Sequence, residues 1–119
     1  MSEAIDKLRA ICLALPEAVE DFEGVGSPAY KVRSKIFAMH HGMHINRSSM
    51  WCKAPSGFQQ MIVGAEPERF FVPPYVGQHG WIGLWLDVEQ DWGLIADLVE
   101  DSYRMTAPKR LIAQIKAAE

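Results

Sequence analysis

The chain has 119 residues, of which 49% are hydrophobic, and a formal net charge of -3 at pH 7. This length suits one domain, and the apolar content is ordinary for a globular protein, so we expect a single folded domain over residues 1–119 rather than a disordered chain. No apolar run reaches the ~20 residues that span a bilayer, and the N-terminus has no signal-peptide pattern, so the expected location is cytoplasmic.

The N-terminal segment predicts one helix and then a loop. Its apolar residues recur at spacings of three and four, as on the buried face of an amphipathic helix: Ile5, Leu8, Ile11, Cys12 and Leu15. Pro16 ends this helix or forces the chain to turn. Residues 17–28 contain two glycines and a proline, which is typical of a loop.

The next segment alternates with a period of two residues, which predicts strands. Lys31, Arg33 and Lys35 alternate with apolar residues, so an extended strand here has one charged face and one buried face. The same pattern also fits a tight turn at residues 34–35 with a returning strand over residues 36–40. Both readings put the three cations on one exposed β-structure.

Turns and short elements follow. Gly42 and residues 46–48 indicate turns, and residues 49–53 predict a further strand. Residues 57–63 predict a short helix, which Gly64 ends.

The C-terminal part of the chain predicts a strand and two helices. Residues 70–72 form a short apolar run, and residues 80–87 alternate most clearly of all. Asp91 caps a helix, and the last helix starts at Pro108 with a cap from Thr106. This order of elements predicts an α+β fold, in which an antiparallel sheet is packed on one side by the N-terminal and C-terminal helices.

Neither the thiols nor the imidazoles form a recognisable reactive motif. Cys12 and Cys52 lie far apart, and Cys52 falls on the apolar side of its strand, so we expect two inert buried thiols. His40 and His44 have the i, i+4 spacing of zinc ligands on a helix. The segment reads as a strand, however, and there His40 and His41 point to opposite faces. We therefore expect no metal, no cofactor and no catalytic residue.

The distribution of charge is more informative than the net charge. No acidic residue occurs between Glu23 and Glu66. Five cations fall in that stretch, and a second basic patch opens the last helix: Lys31, Arg33, Lys35, Arg47 and Lys53, then Lys109 and Arg110. Such segregation favours an anionic partner, and interleaved aromatic residues are typical of nucleic-acid surfaces. A solvated strand face with no partner is the alternative.

The tryptophans supply a second candidate surface. Trp81 and Trp85 share one face of the strand over residues 80–87. With Trp51 and His79 they define a possible site for a small molecule or a protein partner. A helix packed over these rings is the alternative explanation.

Several segments resemble the MmcQ/YjbR family along essentially the whole chain. They are Leu15-Pro16-Glu17, Ala29-Tyr30-Lys31-Val32, Lys35-Ile36-Phe37-Ala38, Pro74-Tyr75-Val76-Gly77, Gly80-Trp81-Ile82-Gly83-Leu84 and Ser102-Tyr103-Arg104-Met105-Thr106-Ala107-Pro108-Lys109-Arg110-Leu111. The resemblance implies a frataxin-like arrangement, the "double-wing" label and DNA binding without a defined site. Trp85 departs from the family pattern, since a basic residue is frequent at that place.

Together these observations predict a small DNA-binding or regulatory module and not an enzyme. The resemblance implies that the hairpin around Lys31, Arg33 and Lys35 is the first wing, which contacts the phosphate backbone. Lys109 and Arg110 match the family's Ala-Pro-Lys-Arg segment, where they bind an anion or pair with acids of the preceding helix. The tryptophan surface is the alternative, and the oligomeric state stays open.

Overall fold

The computed structural model describes residues 3–23, 27–44 and 47–118. Its helices are α1 Glu3–Leu13, α2 Phe58–Ala65, α3 Trp92–Arg104 and α4 Lys109–Ala118. Its strands are β1 Val19–Glu23, β2 Ser27–Val32, β3 Lys35–His44, β4 Arg47–Cys52, β5 Phe70–Phe71 and β6 Ile82–Trp85, with a short 3₁₀ turn at Gly77–His79. The strands form one antiparallel sheet in the order β1-β2-β3-β4-β6-β5. The predicted α+β class is confirmed.

The hydrophobic core lies between one face of the sheet and the helices α1, α3 and α4. The helices contribute buried apolar side chains that include Leu8, Cys12, Ile95, Val99 and Leu111. The strands contribute alternate residues that include Tyr30, Val32, Met50, Cys52, Ile82 and Leu84. This alternation is what the sequence predicts for strands that bury one face. Across the described parts of the chain, the helices are too short or too polar to cross a bilayer.

The predicted loop over residues 17–28 is wrong for Val19–Glu23, which forms the edge strand β1, and for residues 27–28, which begin β2. It pairs with β2 in the register Val19 to Lys31 and Glu20 to Tyr30. The hydroxyl of Tyr30 donates a hydrogen bond to Glu20, and Arg9 of α1 forms an ion pair with the same carboxylate at 3.1 Å. Acidic residues have low strand propensity, so partners from other elements decide the outcome. Residues 24–26 lie outside the described part of the chain.

The hairpin turn falls one residue earlier than the sequence predicts. Arg33 and Ser34 form it, with φ of 50° and 70°, and Val32 pairs with Lys35 across it. Two successive residues with positive φ are the geometry of a two-residue hairpin turn that matches strand twist. As a result Arg33 leaves the strand face and lies at the tip of the hairpin.

Other boundaries also differ from the prediction. Gly42 lies inside β3 rather than in a turn, and β4 already begins at Arg47; residue 46 is outside the described part. The second helix continues through Gly64 to Ala65, and the strand expected over 80–87 is shortened to Ile82–Trp85.

Of the two predicted helix N-caps, Asp91 is confirmed and Thr106 is wrong. Asp91 accepts a hydrogen bond from the backbone amide of Leu94 at 3.2 Å, as an N-cap does. Thr106 instead donates back to the carbonyl of Ser102 at 2.8 Å, so it closes the end of α3 and does not cap α4.

Candidate functional site

Four loops meet at one end of the sheet because neighbouring strands are antiparallel. The tip of the β2–β3 hairpin lies beside the chain that leaves β4, since Ala38 pairs with Cys52. The segment that enters β6 comes next, since Cys52 pairs with Ile82. The segment after Phe71 of β5 lies beyond it, at the outer edge of the sheet. The backbone amide of Lys53 donates to the hydroxyl of Ser102 at 2.9 Å, which ties the α3–α4 loop to the same end.

We call this surface the basic end and define it as residues 33–35, 53–57, 72–81 and 105–110. These four segments carry five cations: Arg33, Lys35, Lys53, Lys109 and Arg110. They contain no aspartate or glutamate. The cations come from places far apart in the sequence, and the sheet topology brings them together. Five of the seven residues expected to contact nucleic acid therefore share one surface.

One carboxylate reaches the basic end from the segment before β1. Glu17 accepts two hydrogen bonds from the Arg33 guanidinium, at 2.8 and 3.2 Å. This pairing lowers the pKa of Glu17, and the nearby charge of Arg110 lowers it further. Glu17 adopts a positive φ of 58°, so its position depends on an unusual backbone conformation. No pattern in the sequence predicts that Glu17 lies beside Arg33.

Lys35 and Lys53 repel each other across neighbouring strands. Partial burial lowers the pKa of Lys53, and the charge of Lys35 lowers it further. Within the described residues neither ammonium forms an ion pair, and the same holds for Lys109 and Arg110. An anion placed between the two lysines would relieve their repulsion, because opposite charge favours the protonated form.

Two clefts flank the α3–α4 loop at the basic end. The first has a volume of about 360 Å³ and is lined by Arg33 and Lys35 on one side and by residues 106–108 on the other. The second has a volume of about 450 Å³ and lies on the other side of Met105, where polar side chains that include Gln60, Gln78 and His79 line it. The basic end is thus a grooved surface, with cations along one groove and amides along the other.

Two of the predicted nucleic-acid contacts lie elsewhere and are already paired. Lys31 forms an ion pair with Asp21 of β1 at 2.9 Å. Arg47 lies at the opposite end of the sheet, where its guanidinium makes two hydrogen bonds of 2.8 Å to Asp87. Lys31 and Arg33 of the hairpin therefore have carboxylate partners, although no acidic residue occurs between Glu23 and Glu66 in the sequence. The structure brings acids from distant segments to both.

The tryptophan surface is covered by the protein's own side chains. Trp51 and Trp85 lie on the sheet face opposite the core, yet each is only 5% exposed, and Trp81 is 8% exposed. His41 stacks on Trp51 with ring centroids 3.8 Å apart, and Phe71 stacks on Trp85 at 4.1 Å.

The guanidinium of Arg47 lies over the Trp85 ring, with its Cζ 3.9 Å from the ring centroid. These contacts contribute to the burial of the two rings. His79 instead lines the second cleft, whose lining includes none of the three tryptophans.

The thiols and the central imidazole have structural surroundings. Burial raises the pKa of Cys52 to about 12 and also raises that of Cys12, so both thiols stay protonated near neutral pH. His40 is buried, and its Nε2 forms a hydrogen bond with the hydroxyl of Ser48 at 2.9 Å. Burial lowers the pKa of His40. Over residues 3–23, 27–44 and 47–118, no three His, Cys, Asp or Glu side chains converge as metal ligands would. The side chain of His44 lies outside what the structure describes.

The fold and its basic end define a small α+β domain with a polar, cationic surface at one end of the sheet. A family model described as YjbR matches residues 13–105. The chain belongs to the YjbR family.

Comparison with solved structures supports the same fold. The crystal structure of the Deinococcus radiodurans protein DR2400, a DUF419 domain, is similar with a TM-score of 0.74 and 21% sequence identity. The match covers 85% of this chain and 76% of that one. No curated protein matches this chain. At this identity the likeness to DR2400 concerns the fold.

Proposed function

We propose that the basic end binds nucleic acid through the phosphate backbone, and that the protein is a binding module rather than an enzyme. The observation that carries the proposal is the charge of this end: its four segments hold five cations and no carboxylate, and only Arg33 among the five forms an ion pair within the described residues, with Glu17. Phosphate contacts need positive potential and reach, and both are available on exposed loops. Both cysteines are free and buried, which suits action in a reducing compartment such as the cytoplasm.

The proposal narrows the surface that the family resemblance suggests. The contacts are made by the tip of the β2–β3 hairpin, by Lys53 just after β4 and by the start of α4, and not by a whole β-ribbon. Lys31 and Arg47 contribute little, because each is engaged with a carboxylate. The double-wing label stays a prediction about how the surface meets a duplex.

Salt dependence gives the first test. Neutralising four phosphates, one for each unpaired cation, predicts a slope of log K against log salt of about −3.6. A fourfold rise in salt then weakens binding roughly 150-fold. Fluorescence anisotropy of a labelled DNA duplex, titrated with protein at two salt concentrations, measures the slope. Absence of binding at the lower salt concentration, both to this duplex and to a labelled single strand, refutes the proposal.

A charge-matched pair of variants tests the location. Lys35→Ala combined with Lys53→Ala removes two cations from the basic end, and we expect the slope to become shallower by about 1.8. Lys31→Ala combined with Arg47→Ala likewise removes two cations, both of them paired with carboxylates outside the basic end, and should leave DNA affinity near that of the unmodified protein. Equal losses in both variants would mean that net charge, and not this surface, determines binding.

Glu17→Gln supplies a test in the opposite direction. It removes the carboxylate that holds Arg33, so the basic end gains one unpaired cation. We expect DNA affinity to rise several-fold at low salt, with a steeper salt slope. Unchanged or weaker binding would show that Arg33 does not contact the nucleic acid.

The alternative, a ligand on the tryptophan surface, has less support because those rings are buried by His41, Phe71 and Arg47. It predicts a change in tryptophan emission when a ligand binds, and no salt-sensitive binding of nucleic acid. The salt-dependent anisotropy titration therefore separates the two proposals.

A further inference from the structure

One aromatic side chain at the basic end is held out into solvent. Tyr75 is 88% exposed, while the tryptophans that the sequence suggested for stacking are buried. Its backbone has a φ of 67°, in the left-handed region. Glycine and asparagine adopt that region easily, whereas tyrosine does so at a cost. Neither the turn nor the packing of the protein therefore accounts for a large aromatic ring at this position.

The loop that carries Tyr75 is anchored on both sides. The amide of Val76 donates to the carbonyl of Pro74 at 2.7 Å, and the amide of Gly77 donates to that of Pro73 at 3.0 Å. The buried side chain of Gln59 donates to the carbonyl of Gly77 at 2.8 Å. Pro73 and Pro74 restrict the loop further, because the proline ring fixes the backbone angle φ. Fixed surroundings of this kind are what keep a strained residue in place, and such residues cluster at binding sites.

The position of the loop relates the ring to the cations. Tyr75 follows β5, and Lys35 begins β3, so the order β3-β4-β6-β5 places them three strand spacings apart. At about 4.8 Å per spacing, the end of β5 lies about 14 Å from the start of β3 along one end of the sheet, and Tyr75 follows four residues after the end of β5. The polar cleft at Gln78 and His79 lies on the same loop as Tyr75. A chain of a few nucleotides can contact the cations, the cleft and the ring together.

We propose that Tyr75 stacks on an unpaired base, so that the polyanion bound at the basic end is a single-stranded nucleic acid. This inference rests on the proposed function and names its substrate class. In a duplex the base faces are already stacked and a protruding ring cannot reach them, whereas in a single strand each base offers a free face. Ring stacking together with neutralised phosphates is the usual means by which proteins hold single strands.

The test compares two probes and two substitutions at one position. The probes are a labelled oligothymidine of about 16 nucleotides and a DNA duplex with the same number of phosphates. Tyr75→Asn removes the ring and suits the left-handed backbone, so it should fold at least as well as the unmodified chain. Tyr75→Phe keeps the stacking face. We expect Tyr75→Asn to bind the oligothymidine roughly fivefold or more weakly and Tyr75→Phe to bind it normally.

Each outcome decides the question. A loss in Tyr75→Asn that is confined to the single strand supports the inference. If Tyr75→Asn binds both probes as the unmodified protein does, or loses affinity equally for both, base stacking is refuted. In either case the proposed function stands as long as the Lys35→Ala, Lys53→Ala variant binds more weakly. If neither probe binds at low salt, the proposed function fails as well.

Discussion

The hydroxyl of Ser102 joins α3 to two strands, and its removal should destabilise the fold markedly. Ser102 is fully buried. It donates a hydrogen bond to the carbonyl of Phe37 on β3 and accepts one from the amide of Lys53 just after β4, at 2.5 and 2.9 Å. Ser102→Ala leaves both backbone groups without this partner. Because these groups lie inside the protein, water does not replace the lost bonds freely.

The expected size of the effect follows from those two groups. A buried polar group left without a partner costs about 1–3 kcal/mol, and the Lys53 amide is only partly buried, so we expect a total of about 2–4 kcal/mol. For a chain of 119 residues, an unfolding entropy of about 2.1 cal/mol/K per residue converts this into a fall in Tm of roughly 8–16 °C.

Thermal and urea unfolding, followed by circular dichroism, measure the change. Ser56→Ala is the matched control. It also removes a serine hydroxyl, but from an exposed position, and should leave Tm almost unchanged. If Ser102→Ala stays within about 0.5 kcal/mol of the unmodified protein, the bridging role assigned to this hydroxyl is wrong.

Two further predictions concern the sheet and the thiols. In Gly83→Ala the new Cβ would lie 2.3 Å from the Phe71 ring, so the ring must leave its stack on Trp85; we expect a cost of about 1–3 kcal/mol and an altered near-UV circular dichroism spectrum. An unchanged spectrum would contradict this packing. Cys12 and Cys52 should not react with a disulfide reagent near neutral pH until the protein unfolds. Since burial raises the pKa of Cys52 from 9.0 to about 12, its contribution to stability is complete below pH 9 and decreases as the pH rises toward 12. Rapid labelling of the folded protein, or stability that holds constant over that range, would refute the burial argument.

Much of the fold could be predicted from local pattern. The alternation around residues 80–87 correctly assigns Ile82 and Leu84 to the core and Trp85 to the other face. The Asp91 cap is also correct, because capping depends on residues only three apart. Such features are local, so the residues that decide them lie within a few positions of one another.

The edge strand β1 could not be predicted in the same way. Glu20 and Asp21 suit a loop by composition, and they form a strand because Tyr30, Lys31 and Arg9 supply hydrogen bonds and ion pairs. Those partners lie ten or more residues away, beyond the reach of a local pattern.

The sequence by itself determined that this chain folds as an α+β domain with an excess of cations in its middle and at its last helix. The tertiary structure alone decided which cations act together. Antiparallel pairing brought Lys35 next to Lys53, and the start of α4 added Lys109 and Arg110, while Asp21 and Asp87 neutralised Lys31 and Arg47. Charge acts through space, and its effect falls with distance and screening, so the spacing of residues along the chain cannot reveal it.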